Sequence, residues 1–129
     1  MFLVNVLRRN ISSEDFGPLT SMEFEILLSL ADGDRHGYAI LQDIAARSDG
    51  AAVARPGTLY RAVSRLLQTG LIEEVDAAPR SKRAGGNVDE RRRYYSLTQT
   101  GRHIAEGEAQ RLARQVRAAR SRKLLKSGA

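Results

Sequence analysis

The residues of this chain that could do chemistry lie together between Arg55 and Gly70, in the stretch RPGTLYRAVSRLLQTG. Hydroxyl and guanidinium side chains recur there at positions that a helix would turn to one side. The members of this set are Thr58, Tyr60, Arg61, Ser64 and Arg65. Such groups donate hydrogen bonds and positive charge, which suits phosphate oxygens and the base edges of nucleic acid. The stretch therefore predicts a surface that binds nucleic acid.

The same stretch has the signals of a helix that would present those side chains. Pro56 suits the first turn of a helix, where its missing N–H costs nothing, and Gly70 suits the position just past a helix end. Apolar residues at helical spacing occupy the other face. These are Leu59, Val63, Leu66 and Leu67. We therefore predict a helix with an apolar back and a polar, basic front.

Catalytic or metal chemistry finds little support elsewhere in the sequence. The two histidines, His36 and His103, are predicted to be a turn residue and a helix-surface residue, and there is no cysteine. Gly85–Gly86 lacks the strand–loop–helix setting of a nucleotide-binding loop. Glu73–Glu74 is predicted to be a solvated strand edge rather than an acid–base pair. We expect a protein that is not an enzyme and holds no metal or cofactor.

The composition favours a polyanionic partner. The 129-residue chain has a formal net charge of +6, which favours nucleic acid first and an anionic membrane second. No apolar run approaches the ~20 residues that span a bilayer. Met1–Arg9 places apolar residues before basic ones, the reverse of a secretory signal. Together with the absence of cysteine, these features predict a cytoplasmic protein of one domain with no membrane partner.

Two predicted helices precede the basic stretch and would hold it in place. Thr20–Ala31 opens with a capping box formed by Thr20 and Glu23, and His36–Ser48 follows after a turn. In the second helix, Gly37 would let another backbone or a phosphate come close. The predicted apolar face of that helix consists of Tyr38, Ile40, Leu41, Ile44 and Ala45. Three short helices in succession are typical of a helix-turn-helix, whose last helix reads DNA.

Two strand candidates follow the third helix. They are Leu71–Val75 and Arg91–Leu97, joined by the glycine-rich, basic loop Ala77–Asp89. A hairpin with a basic loop is typical of the wing of a winged helix and can reach phosphates or the minor groove. Arg93 lies in phase with Tyr95 and is predicted to be structural. The wing residues predicted to contact DNA are Lys82, Arg83, Arg91 and Arg92. It is left open whether Ala51–Ala54, before the third helix, pairs with these strands.

The sequence predicts a long final helix, about Gln99–Leu125, with Thr98 as its cap. Its apolar residues recur at alternating spacings of four and three, which is the seam pattern of a coiled coil. The seam residues are Ala105, Ala109, Leu112, Val116 and Ala119. Because so small a domain offers this helix no core of its own, we predict that the seam pairs with a second copy. The alternative is that the helix folds back on the first helix. The apolar residues of the N-terminal arm are predicted to pack on another element, which could belong to a partner chain, and are assigned to dimerisation together with the seam. They are Phe2, Leu3 and Val6.

These elements predict a mainly α fold with a small β-hairpin. We expect residues 1–18 to form an N-terminal arm or short helix and residues 19–97 a winged helix-turn-helix DNA-binding domain. Residues 98–129 would form a C-terminal dimerisation helix and a tail.

Three segments carry a resemblance to a known family. They read LTSMEFEILLSLADGDRHGYAI, RPGTLYRAVSRLLQTGLIEE and RRRYYSLTQTGR. The order and spacing of HGY, PGTLYRA, GLIE and RYYSLT resemble the PadR family of transcriptional regulators over about Leu19–Arg102. The resemblance implies a winged helix-turn-helix, a C-terminal dimerisation helix and binding of a dimer to a palindromic operator in double-stranded DNA. The loop Ala77–Asp89 is longer and more basic than a family wing, and the tail beyond Thr98 shares only the family's general character.

In the family the GTLY segment lies at the DNA, so the resemblance points to Gly57, Thr58, Tyr60 and Arg61. Arg61 could contact a guanine edge or a phosphate. Tyr38 could contact a phosphate or be a half-buried packing residue. The full set predicted to bind DNA outside the wing is Tyr38, Pro56, Gly57, Thr58, Tyr60, Arg61 and Arg65.

Two functions from different classes fit these observations. The first is a dimeric, sequence-specific transcriptional regulator, a repressor released by a small-molecule effector as the resemblance implies. An effector cavity would lie between subunits and be lined by Phe2, Val6, Leu112 and Val116. The alternative is a protein-interaction or architectural module that binds nucleic acid through charge alone.

Overall fold

A computed structural model describes residues 18–48, 55–76 and 93–126. The helices are α1 (Ser21–Ala31), α2 (Gly37–Arg47), α3 (Pro56–Gln68) and α4 (Gln99–Ser121), and the strands are β1 (Arg35–His36), β2 (Ile72–Val75) and β3 (Tyr94–Leu97). Several segments named in the sequence analysis lie outside the described residues. They are the arm residues Phe2, Leu3 and Val6, the segment Ala51–Ala54, the loop Ala77–Asp89, and Arg91 and Arg92. The mainly α fold with a small sheet is confirmed.

The first helix begins where its cap was predicted. The Thr20 N–H donates to Glu23 Oε1 at 2.9 Å, and the Glu23 N–H donates to Thr20 Oγ1 at 3.1 Å, which completes the capping box. This satisfies two backbone donors that the first turn of a helix otherwise leaves open. The helix buries Ile26, Leu27 and Leu30 in the core.

The second helix begins one residue later than the sequence predicted, at Gly37. His36 is its N-cap, because His36 Nδ1 accepts a hydrogen bond from the Ala39 N–H at 3.2 Å. His36 also belongs to β1, and its ring meets that of Tyr94 edge to face at a centroid distance of 5.3 Å. Placing Tyr38 and Ala45 on the apolar face was wrong, because both are exposed.

The third helix has its predicted bounds and faces. Leu59, Val63 and Leu66 are buried in the core, and Leu67 packs against it. At its end Gly70 has φ +79°, a conformation that glycine adopts without strain. The Gly70 N–H donates to the Leu67 carbonyl at 3.2 Å and the Leu71 N–H to the Leu66 carbonyl at 3.0 Å, which is the Schellman end of a helix.

The sheet has one strand more than the predicted hairpin. Strand β3 lies in the middle, antiparallel to β2 on one side and to β1 on the other. Tyr95 of β3 is buried and stands opposite Arg35 of β1 and Glu74 of β2. The short strand β1 therefore ties the start of α2 to the base of the wing.

The last helix joins the core of its own chain, so the expectation that it had no core to join was wrong. Ile104 is fully buried in the core cluster, and Ala105 packs against it. A guanidinium N–H of Arg102 donates to the Ala31 carbonyl at the end of α1 at 3.2 Å. The fold-back alternative thus holds for the first turns of α4. The helix ends at Ser121 rather than Leu125, because Lys123 adopts a left-handed φ of 64° and closes a second Schellman end.

A polar network joins α1 to α2 on the solvent side of their packing. Asp43 Oδ2 accepts from Ser29 Oγ at 2.7 Å and from Arg47 Nε at 3.1 Å. Arg47 also donates to Ser29 Oγ at 2.8 Å and pairs with the carboxylate of Glu25. Burial alone would raise the pKa of Asp43, but the hydrogen bonds from Ser29 and Arg47 outweigh it and lower the pKa.

Asp43→Asn is expected to lower the free energy of unfolding by about 2 kcal/mol near neutral pH, because hydrogen bonds to a charged acceptor contribute about 1.5–3 kcal/mol. The lowered pKa means that the contribution of Asp43 is complete above its ordinary value of 3.8 and is lost as the pH falls below that. Urea titrations over a pH series should therefore show the variant and the wild type converging in acid. The exposed Asp76→Asn is the control. A constant difference at every pH would contradict this account.

Candidate nucleic-acid interface

The outward face of α3 carries the side chains that the sequence selected for nucleic-acid binding. All of them are exposed, as are Pro56 and Gly57 at the start of the helix. They are Thr58, Tyr60, Arg61, Ser64 and Arg65. The opposite face of α3 is buried in the core, which fixes the direction in which these side chains point.

The first turn of α3 combines open backbone with a guanidinium group. A Cβ at Gly57 would have Arg61 Nη1 as its nearest neighbour, at 3.8 Å. Arg61 therefore reaches back along the helix toward its N-terminus. Within the described segment 55–76, Arg55 provides no side-chain cap and the first turn has no acidic residue. The free N–H groups, the positive end of the helix dipole and Arg61 together make a surface that favours a phosphate.

Arg65 has a partner inside the protein. Its Nε lies 3.1 Å from Oε2 of Glu23, a buried residue whose other carboxylate oxygen completes the α1 capping box. The guanidinium remains largely exposed. Arg65 thus links α3 to α1, while its outer nitrogens still face solvent. The sequence did not indicate that Glu23 serves two helices.

The two tyrosines of the interface differ in their surroundings. Tyr38 is 57% exposed, so its side chain is accessible to a partner. Tyr60 is 47% exposed, and the end of its ring lies over Gly37. The space at Gly37 was expected to admit a backbone or a phosphate, and the structure fills it with Tyr60. No sequence signal connected these two residues.

The base of the wing is held by an ion pair. Arg93 Nη1 donates to Glu74 Oε2 at 2.9 Å across the sheet, and this hydrogen bond raises the pKa of Arg93. The predicted structural role of Arg93 and the predicted solvated edge at Glu74 agree with this pair. The wing residues Lys82, Arg83, Arg91 and Arg92 lie outside the described residues.

The predicted dimerisation seam divides into two parts. Ala105 packs on the core of its own chain, so that position serves the protomer itself. Farther along α4, Ala109 and Val116 are exposed and Leu112 and Ala119 are partly exposed. The sequence missed Glu108, which is buried and whose Oε1 accepts from Arg111 Nε at 3.0 Å.

Clusters of metal ligands and membrane-spanning helices are both absent from the part of the chain that the structure describes. Across residues 18–48, 55–76 and 93–126, no three His, Cys, Asp or Glu side chains cluster as metal ligands would. In those same ranges no helix combines the length and the apolar character needed to cross a bilayer.

The helices α1–α3, the three-stranded sheet and the basic outward face of α3 define a winged helix-turn-helix domain. Residues 26–106 match the transcriptional regulator PadR-like family. The chain belongs to this family of transcriptional regulators. A comparison with curated proteins finds no match.

Solved structures share the fold. A transcriptional regulator from Clostridium thermocellum is 24% identical, with a TM-score of 0.63 over 81% of this chain and 97% of that one. A PadR family regulator from Clostridium difficile is also 24% identical, with a TM-score of 0.64 over 79% of this chain and 97% of that one. Bacillus subtilis PadR in complex with operator DNA is 20% identical, with a TM-score of 0.56 over 67% of this chain and 45% of that one.

Proposed function

We propose that this protein is a sequence-specific DNA-binding transcriptional regulator that places α3 in the major groove of a palindromic operator as a homodimer. The observation that carries the proposal is the outward face of α3, where Thr58, Arg61 and an open first turn stand together on a helix whose other face is buried. Membership of a family of transcriptional regulators supports it. So does the shared fold with Bacillus subtilis PadR, which binds operator DNA.

The regulatory part of the proposal follows the family resemblance. The protein would act as a repressor, and a small molecule would release it from DNA. Leu112 and Val116 leave apolar surface on α4 beyond the protomer core, where a cavity between two copies would form. A cytoplasmic location fits this function.

Arg61→Ala is expected to weaken operator binding about 10- to 100-fold, because one good arginine contact to a base is worth about 1–3 kcal/mol. A DNase footprint on the upstream region of the protein's own gene gives the operator, and gel shifts at fixed salt give the affinities. Arg114→Ala, an exposed arginine on α4, removes the same charge away from the interface and is the control.

The charge-only alternative makes the opposite forecast. Binding through charge alone gives diffuse protection that collapses with salt, and Arg61→Ala and Arg114→Ala then weaken binding equally. That pair of results would reject sequence-specific reading by α3.

A further inference from the structure

Gly37 is buried at the first position of α2, and the side chain that covers it belongs to α3. A Cβ at Gly37 would fall on the hydroxyl oxygen of Tyr60 and lie 2.8 Å from its Cζ and 2.9 Å from its Cε1. These separations are shorter than van der Waals contact, so the ring of Tyr60 fits there only because residue 37 has no side chain. The first turn of α2 and the outward face of α3 are thereby in direct contact.

The position of Tyr60 on α3 makes this contact relevant to DNA binding. Tyr60 lies between Leu59, which is buried in the core, and Arg61, which points outward. Through its contact with Gly37, the ring of Tyr60 joins the outward face of α3 to the first turn of α2.

We infer that Tyr60 is a positioning residue: its ring, seated on Gly37, sets the angle at which α3 presents Thr58 and Arg61 to DNA. This inference rests on the proposed function. It assigns the work of Tyr60 to the aromatic ring, whereas a direct contact with DNA would use the hydroxyl group, the only hydrogen-bonding group of the side chain. The pair also gives a physical role to the glycine at position 37, because the absence of a side chain there leaves room for the ring of Tyr60.

The first measurement is made on the free protein. Gly37→Ala forces only the end of a side chain to move, so the chain is expected to fold with Tyr60 displaced. In the wild-type background the substitution should lower the melting temperature or leave it unchanged. In the Tyr60→Ala background the clash is absent, and the same substitution should raise the melting temperature because alanine favours the helix. Gly57→Ala, where a Cβ has room, is the matched control and should act alike in both backgrounds.

The second measurement is operator binding. Gly37→Ala and Tyr60→Ala are each expected to weaken binding about 10-fold, and the double variant about 10-fold rather than about 100-fold, as for two residues that act through one contact. Tyr60→Phe keeps the ring atoms that lie against Gly37 and should lose less binding than Tyr60→Ala.

Two results would overturn the inference. One is that Gly37→Ala changes the melting temperature of the free protein by the same amount in the wild-type and Tyr60→Ala backgrounds. The other is a loss of binding in Tyr60→Phe as large as in Tyr60→Ala, which would assign the role to the hydroxyl. A wild-type protein that binds all DNA sequences equally would instead refute the proposed function. The melting temperatures of the single and double variants without DNA would still decide whether the ring of Tyr60 lies on Gly37.

Discussion

Gly101→Ala is expected to lower the free energy of unfolding by about 3 kcal/mol and the melting temperature by roughly 10 °C. A Cβ at this position would overlap the carbonyl oxygen of Leu71 and lie 2.9 Å from both Leu71 C and Leu97 Cδ1. A clash with the end of a side chain can be relieved by rotation, but this one is with backbone.

The backbone at Leu71 has no freedom to withdraw. Its N–H donates to the Leu66 carbonyl, and its carbonyl accepts from the Thr98 N–H at 3.1 Å. The Leu71 and Gly70 carbonyls share the single hydroxyl proton of Thr98, with Oγ1 at 3.0 Å from the Leu71 oxygen. Relief of the clash would therefore break the end of α3 or the start of α4.

Thermal and urea unfolding of the purified variant measure this effect. Gly57→Ala is the control, because it adds the same methyl group to a helical glycine that has space for it. A Gly101→Ala protein that melts with the wild type would show that α4 can move off Leu71, and that the joint between the two helices is loose.

Local signals in the sequence sufficed for the elements whose ends they mark. Thr20 and Glu23 marked the start of α1, Pro56 and Gly70 bracketed α3, and Thr98 marked the start of α4. In each case a cap or a glycine acts within one turn of its own helix, so the residue type and the spacing carry the information.

Contacts between distant residues were not predictable in the same way. Strand β1 has two residues, too few for an alternating pattern, and it exists because the open edge of β3 accepts it. Ile104 lies one residue before the seam position Ala105, and it is the residue that anchors α4 in the core. Periodicity places a side chain on a face, but it does not say which neighbour will cover that face.

In the candidate site, too, local sequence signals predict the direction of a side chain but not its contacts with distant residues. The outward direction of Arg61 follows from the buried positions Leu59 and Val63, which the sequence pattern gave. That Tyr60 lies over Gly37, and that Arg65 pairs with Glu23, depends on how three helices pack. Of these three side chains on the outward face of α3, Arg61 faces solvent, whereas Tyr60 and Arg65 also contact other helices.

The joint at Thr98 and Gly101 connects the proposed dimer to DNA reading. Thr98 Oγ1 donates to the Gly70 carbonyl at 2.7 Å, directly after the end of α3. Two copies paired through α4 would thus hold their two α3 helices at a fixed separation. Dimers of helix-turn-helix proteins bind half-sites about one turn of DNA apart, so a rigid joint would suit the proposed palindromic operator.

Val116→Lys is expected to convert the proposed dimer to a monomer and to weaken operator binding about 10²- to 10⁴-fold, the range that linking two binding modules commonly contributes. Val116 is 42% exposed in the single chain, so the protomer should keep its helix content. In a dimer the seam would bring two lysines together on helices already rich in arginine, such as Arg114 and Arg117. A lysine is chosen because those arginines would neutralise a carboxylate.

Sedimentation equilibrium gives the mass of the variant, and gel shifts on the footprinted operator give its affinity. Gln110→Lys is the control, because it adds the same charge on an exposed position of α4 outside the seam. Its dimer should persist and its DNA affinity should not fall. A Val116→Lys protein that stays dimeric would place the dimer contact elsewhere. A monomer with unchanged operator affinity would show that one copy suffices, and the palindromic model would be wrong.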